Sequence, residues 1–117
     1  DVMRTEEMPV ITPEMHLGEA IIQVSRGKLG LGIAERNGEI AGLITDGDIR
    51  RAMEKWKAQF FDKTVADIMT TRPKTVSADT KISDVQKIMS RYKIHSVLVA
   101  DKHNHLLGVV DHYSCMI

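Results

Sequence analysis

A single cysteine, Cys115, leaves this chain without an internal disulfide framework or a cysteine-based zinc site. A lone thiol suits a reducing, cytoplasmic setting. Aromatic residues are also scarce: Trp56, Phe60, Phe61, Tyr92 and Tyr113 are all of them, so the core must be built from Ile, Leu, Val, Met and Ala. No apolar run approaches the length that crosses a bilayer, and no signal peptide precedes the first predicted strand, so no membrane partner is expected. Net charge is absent too. Lys plus Arg (16) equals Asp plus Glu (16), which removes any overall field toward nucleic acid or anionic lipid. With no aromatic runs for stacking on bases, nucleic acid is not an expected partner. One local basic patch remains, around Arg50, Arg51, Lys55 and Lys57.

What is present is enough for a folded domain. At 117 residues the chain fits one compact domain or two small halves, and its apolar and charged contents are those of a globular protein. It begins at Asp1 and stops at Cys115-Met116-Ile117, so it reads as a piece of a longer protein, and any catalytic domain would be expected to lie outside this piece.

Internal repetition organises the sequence. Asp1-Val2-Met3 recurs as Asp67-Ile68-Met69, and Ile11-Thr12-Pro13-Glu14 as Val76-Ser77-Ala78-Asp79. Leu17, Ala20 and Val24 match Ile82, Val85 and Met89. The segment Leu29 to Ala34 matches Ile94 to Val99 and, after a one-residue slip, Gly42-Leu43-Ile44 matches Gly108-Val109-Val110. Each copy reads as strand, helix, strand, strand, helix. Short extended segments, Pro9 to Thr12 and Thr75 to Ser77, lead into helices whose apolar stripes are Leu17, Ala20, Ile21, Val24 and Ile82, Val85, Ile88, Met89. Thr80 is the expected N-cap of the second helix; its counterpart Met15 cannot serve. Asn37-Gly38 signals a tight hairpin, because both residues tolerate positive φ, and Asp101 to His105 fills that place in the second copy.

Strand Ile40 to Ile44 should run through Thr45-Asp46-Gly47 into a helix from Asp48 to about Lys57. The expected fold class is α/β (α+β): two β-α-β-β-α repeats, residues 1–60 and 61–117, packed with pseudo-two-fold symmetry around a shared core and a cleft. One such unit alone buries too little apolar surface to be more than marginal. Residues Glu54 to Thr64 connect the copies, with Trp56, Phe60 and Phe61 expected to cover the junction.

One motif carries specific chemistry. Gly42-Leu43-Ile44-Thr45-Asp46-Gly47-Asp48 has the form Gly-x-x-Thr-x-x-Asp at a strand-to-helix turn, which presents unpaired N–H groups and the positive end of a helix dipole to a phosphate. The Thr45 hydroxyl can donate to a phosphate oxygen. Asp48, one helical turn on, can accept from ribose hydroxyls, and Gly47 leaves room for close approach. The plainer alternative is a helix start, with Thr45 or Asp46 as cap and Asp48 offsetting the dipole. From spacing alone the plainer start weighs at least as much; the repeat shifts the balance, because this turn sits where a two-fold cleft is expected to open. In the second copy Asp111 and Ser114 occupy the places of Thr45 and Asp48, so one competent and one altered half-site are expected.

The repeat and its turn resemble the CBS domain, and the tandem resembles the paired CBS (Bateman) module, over nearly the whole chain. Asp1-Val2-Met3, Lys28-Leu29-Gly30 and above all Thr45-Asp46-Gly47-Asp48-Ile49-Arg50-Arg51 resemble the C-terminal CBS pair of arabinose 5-phosphate isomerases. The resemblance implies a regulatory appendix to an upstream sugar isomerase domain that feeds synthesis of the acidic sugar Kdo for lipopolysaccharide or capsule. It also implies a homodimer through CBS pairs and a nucleotide-type effector: CMP-Kdo, or alternatively AMP or ATP. Carried over residue by residue, Thr45 faces phosphate and Asp48 ribose, with Asp46 and Gly47 completing the turn. Thr12 and Leu29-Gly30-Leu31 flank the base, and Ser77 with His95-Ser96-Val97 line the other side. Arg50 and Arg51 can neutralise an acidic sugar or can simply be solvated charges.

Two rivals stand beside this reading. Catalysis by this chain would need a constellation, and the histidines are the only candidates. His103 and His105 in a polar loop, with His95 and His112, have no carboxylate in a metal-ligand frame, and Cys115 lacks a base. No catalytic residue, metal or cofactor is therefore assigned. The stronger rival is assembly: the pair can scaffold an oligomer with its nucleotide turn unused.

Overall fold

A computed structural model describes residues 8–27, 29–94 and 96–111, with only the backbone of Asp111 at the last position. The described chain divides into two compact units, residues 8–73 and residues 74–111. The first begins with strand β1 (Val10–Ile11), helix α1 (Leu17–Gly27), strand β2 (Leu31–Arg36), strand β3 (Glu39–Thr45) and helix α2 (Asp46–Trp56). A 3₁₀ segment, Lys57–Asp62, a one-turn helix α3 (Val65–Ile68) and strand β4 (Thr70–Thr71) complete it. The sheet order is β1-β2-β3-β4. β1 and β2 are parallel, which demands a crossover, and α1 supplies it; the remaining pairs are antiparallel. Thus α3 and β4, which open the second copy in sequence, pack within the first unit.

The second unit repeats the core of this plan: β5 (Thr75–Val76), α4 (Ile82–Tyr92), β6 (Ser96–Ala100) and β7 (Leu106–Asp111), in the sheet order β5-β6-β7. The registers are equivalent. Ile11 pairs with Ala34 as Val76 pairs with Val99, and Leu31 faces Thr45 as Ser96 faces Asp111. Even the irregularity recurs, between Ala34 and Glu35 and between Val99 and Ala100, just before each hairpin. The α/β class and the repeat are therefore as the sequence indicates. Any last helix of the second copy falls in residues 112–117, outside the described residues, as do Asp1-Val2-Met3 and Ser114.

Each unit has its own aliphatic cluster. Ile11, Leu17, Ala20, Val24, Ala34, Ile44, Ile49 and Ala52 form one, and Val85, Met89, Val97, Val99 and Val110 the other. In the α1 stripe Leu17, Ala20 and Val24 are buried and Ile21 partly so. The stripe of α4 is shorter than expected: Ile82, at the first helical position, stays 43% exposed. The hairpin turn holds Asn37 and Gly38 at φ 55° and 80°, the two positive values that match the right-handed twist of its strands.

Three local expectations need correction. Thr80 does not cap α4: the N-cap is Lys81, without a side-chain bond, and the Thr80 hydroxyl lies 3.1 Å from that of Ser77 instead. Helix α2 begins at Asp46 rather than Asp48, because Thr45 caps it from the last strand position. Phe60 is not a surface cover but a fully buried member of the first unit's core, with Trp56 packed against the same cluster. Phe61 meets Phe60 edge to face and remains 62% exposed. The 3₁₀ segment turns the chain back so that a single ring of the Phe60-Phe61 pair faces the core.

Two measurements test these local features. Exposed Lys57 ends α2 at φ 51° and ψ −121°, a region open to glycine and costly for other residues. Lys57→Gly should raise stability by about 1 kcal/mol in urea titration; a loss would mean that the Lys57 side chain, not its backbone, matters. In the second hairpin the Asp101 Oδ1 accepts the amides of His103 (2.8 Å) and His105 (2.9 Å), and that of His105 above all holds the carboxyl below its ordinary range. The contribution is present above the unfolded value of about 3.9 and lost as pH falls through the lower folded one. The His103 and His105 amides should lose hydrogen-exchange protection as this loop loosens below pH ~4.

Candidate functional site

Thr45 sits where β3 ends and α2 begins, and its backbone is still extended (φ −117°, ψ 166°). Its Oγ1 accepts the Asp48 N–H at 3.1 Å, while Asp48 Oδ2 accepts the Thr45 N–H at 2.9 Å. This is a reciprocal capping box, and it realises the plainer alternative for the motif. The cap does not exhaust the groups, however. Thr45 Oγ1 uses only an acceptor lone pair, so its O–H can still donate. Asp48 has a second oxygen, Oδ1, which accepts from Arg51 Nη2 at 2.6 Å. The Arg51 side chain is 70% exposed and that of Asp48 20%, so this ion pair is a surface one, worth about 0.5 kcal/mol or less.

The segment before β2 closes on the same turn. Gly30 takes φ +71° and its carbonyl accepts the Asp46 N–H at 3.0 Å. A Cβ on Gly30 would stand 3.2 Å from Asp46 Oδ2, so a side chain there would press on the turn as well as strain the backbone. Gly47 also lies against a neighbour: a Cβ there would stand 3.2 Å from Arg51 Nη1 and 3.6 Å from Thr45 Oγ1. A guanidinium and a hydroxyl therefore flank one face of Gly47. Asp46 and Asp48 are both acidic residues of the first turn, which suits the helix dipole and opposes any incoming anion.

A second Thr-x-x-Asp in the chain serves as an internal control. Thr64 and Asp67 make a related but one-sided box at the start of α3: Asp67 Oδ2 accepts the Thr64 N–H at 2.9 Å and the Thr64 O–H at 3.3 Å, while the Asp67 N–H goes to the Thr64 carbonyl at 3.0 Å. There the neighbouring amides are consumed by the chain, Val65 N–H by the Met15 carbonyl and Ala66 N–H by the Pro13 carbonyl. At the first box Asp46 N–H is likewise taken, by the Gly30 carbonyl, but among the described residues no loop carbonyl takes the Gly47 N–H. The Thr64 box fastens chain to chain. The Thr45 box keeps its hydroxyl proton in hand.

Of the residues expected to share a site, the structure brings together Gly30, Thr45, Asp46, Gly47 and Asp48. Leu31 faces Thr45 across the ladder, but its side chain is buried, and Leu29 is half-buried. Thr12 lies elsewhere. It follows Ile11, the partner of Ala34, and so stands at the other end of β2, about 13 Å along the strand from Leu31. Ser77 and Ser96 are separated in the same way in the second unit. The Ser77 hydroxyl donates to Asp79 at 2.5 Å and holds that carboxyl below its ordinary range. Val97 is buried, and His95 lies outside the described residues. Sequence reading treated Arg51 as one of two interchangeable helix charges; the i, i+3 spacing from Asp48 was the signal for its pairing.

The remaining candidates are quickly placed. His103 and His105 are exposed with ring centroids 6.1 Å apart, and His105 Nδ1 lies 3.4 Å from Asp101. Among the described residues no three His, Cys, Asp or Glu side chains converge as metal ligands, and no helix is long and apolar enough to cross a membrane.

Comparison with known proteins gives a consistent picture. The CBS domain pattern matches residues 1–55 and 65–116. A Haemophilus influenzae protein named "Probable arabinose 5-phosphate isomerase" is 36% identical over 111 residues, covering 95% of this chain and 33% of its own length. The chain thus spans about a third of that relative. Among solved structures, a CBS domain pair in complex with 5′-methylthioadenosine and S-adenosyl-L-methionine superposes with a TM-score of 0.87 at 24% identity, covering 99% of this chain and 93% of that one. CBSX2 of Arabidopsis thaliana, in complex with AMP, does so with a TM-score of 0.83 at 21% identity, covering 99% and 90%.

The two capping boxes make a matched pair of variants. Thr45→Ala should cost about 1 kcal/mol in denaturant unfolding, and Thr64→Ala less, because the Thr64 hydroxyl accepts no helix amide. A Thr45→Ala chain as stable as the parent would mean that the box does not hold the start of α2.

Proposed function

This chain belongs to the CBS domain family, and from that premise we propose that it is a regulatory module that binds a nucleotide-type effector at the Thr45–Asp48 turn. The observation that carries the reading is the contrast between the two Thr-x-x-Asp boxes. In one the neighbouring amides go to Met15 and Pro13 and the Thr64 hydroxyl to Asp67, while the other keeps the Thr45 O–H and a lightly held Asp48 oxygen. In this reading Thr45 and Gly47 donate to a phosphate and Asp48 accepts from the ribose diol. Asp46 positions Gly30, whose turn lies beside the base with Leu29. Ser77, His95, Ser96 and Val97 are the second copy's lesser contribution; Leu31 adds its backbone beside Thr45, and Thr12, at the far end of β2, is left out of the site. Asp111 in place of Thr45 disfavours phosphate in the second copy, so one ligand is expected per chain.

The rest of the parent protein is, in this proposal, an arabinose 5-phosphate isomerase in the cytoplasm, and the module controls it without a reaction or cofactor of its own. The CBS copies would be residues 1–60 and 61–117, pairing with a second chain as a homodimer. The AMP, methylthioadenosine and S-adenosylmethionine complexes of similarly folded CBS pairs support the ligand class. The isomerase relatives favour CMP-Kdo as an end product that would act back on the pathway, with AMP or ATP as the other choice. A second reading is pure assembly. It is favoured by one fact: both motif side chains already serve the cap.

A thermal-shift series with CMP-Kdo, CMP, AMP, ATP and S-adenosylmethionine separates the readings. At about a hundred times its dissociation constant the effector adds roughly 2.7 kcal/mol, a melting rise on the order of ten degrees for so small a domain. That rise should vanish in Asp48→Ala when each variant is compared with its own ligand-free melt. No rise with any of the five would leave assembly as the function.

A further inference from the structure

The proposed nucleotide site has an electrostatic difficulty, and its resolution points to a residue outside the Gly-x-x-Thr-x-x-Asp pattern. Asp46 and Asp48 both lie in the first turn of α2, so a phosphate reaching the Thr45 hydroxyl and the Gly47 amide would meet two carboxylates. Backbone donors and one hydroxyl do not cancel that charge. A cation must come with the site. Arg51 is the cation whose guanidinium is at the turn: it bonds Asp48 Oδ1 and lies against the open face of Gly47, the face that Thr45 Oγ1 also borders. Its ion pair is exposed and easily given up. Arg50, its neighbour, stands on the exposed side next to buried Ile49 and has no recorded bond to the turn.

Resting on the nucleotide reading, we propose that Arg51 is an exchangeable counter-ion that sets the preference of this site for phosphorylated ligands. In the free chain it neutralises Asp48. On binding, a ribose hydroxyl takes its place at Asp48 Oδ1 and the guanidinium turns onto the ligand's phosphate, where its fork of donors suits paired oxygens. The exchange releases the carboxylate for the diol and brings the positive charge to the anion in one movement. The second copy agrees with such coupling. Aligned through the equivalent strand pairs Leu31–Thr45 and Ser96–Asp111, it has Asp111, Ser114 and Ile117 at the positions of Thr45, Asp48 and Arg51. Phosphate donor, diol acceptor and cation are replaced together.

Calorimetric titration of the full 117-residue chain with AMP, adenosine, CMP and cytidine tests the proposal, in parent, Arg51→Met and Arg51→Lys forms. The parent should prefer each nucleotide over its nucleoside, and this preference should weaken with added salt. Arg51→Met should lower nucleotide affinity about ten-fold, the worth of one charge-assisted hydrogen bond, and leave nucleoside affinity unchanged or raised. Arg51→Lys should fall between. Ligand-free melting of the variants near that of the parent would show that the fold is intact, as an exposed side chain allows. If Arg51→Met keeps the full preference for the phosphate, or loses nucleoside and nucleotide equally, the assignment is wrong while the nucleotide reading survives. If the parent binds none of the four, the nucleotide reading fails and the counter-ion role falls with it.

Discussion

Strand β3 passes into helix α2 with no residue between them, and the reciprocal bonds of Thr45 and Asp48 are what make so abrupt a change possible. A helix start leaves N–H groups without partners, and a strand end leaves its last amide outside the ladder. The box answers both needs with two side chains. The rest of the first unit is arranged around that junction. Ile44 on the strand side and Ile49 and Ala52 on the helix side enter one aliphatic cluster. Gly30 folds over Asp46 from the adjoining strand. A longer or looser connection would move these anchors apart, and the donors left at the turn would no longer face one place.

The same economy appears in the repeat. With few aromatics, each unit fills its core with branched aliphatic side chains, and these pack on a pleated sheet only if register is held. The two units hold it alike, down to the irregularity before each hairpin. They differ where the core is not at stake. The first hairpin closes with two left-handed residues and the second with an Asp101 carboxylate that gathers two amides. The strand-end residues Thr45 and Asp111 differ in charge although their ladder positions match. Packing keeps the scaffold common to both copies, and chemistry separates their ends.

A capping box is usually only structural, and this chain contains one of that kind at Thr64 and Asp67. The two boxes have the same residue types at the same spacing. What distinguishes them is the surroundings: carbonyls of Pro13 and Met15 fill the space before α3, while the space before Gly47 is bordered by a hydroxyl and a guanidinium. Function, on the proposed reading, uses the valences that folding does not consume. Such a site costs little stability, because the cap would be needed in any case.

Periodicity and repetition in the sequence determined most of the architecture: the α/β class, the tandem copies, the crossover helices, the Asn37-Gly38 turn and the position of the Thr45–Asp48 motif. These are local or self-similar signals, set by side-chain spacing and backbone preference. Composition alone sufficed for an aliphatic core without disulfides. Tertiary structure decided matters that depend on which groups meet. It turned Phe60 inward and left Phe61 out, gave the cap of α4 to Lys81 rather than Thr80, and set Thr12 at the far end of β2 from Thr45. It also paired Arg51 with Asp48 across Gly47. Whether a hydroxyl, an amide or a charge remains available depends on neighbours distant in sequence, and only the folded chain brings those neighbours into place.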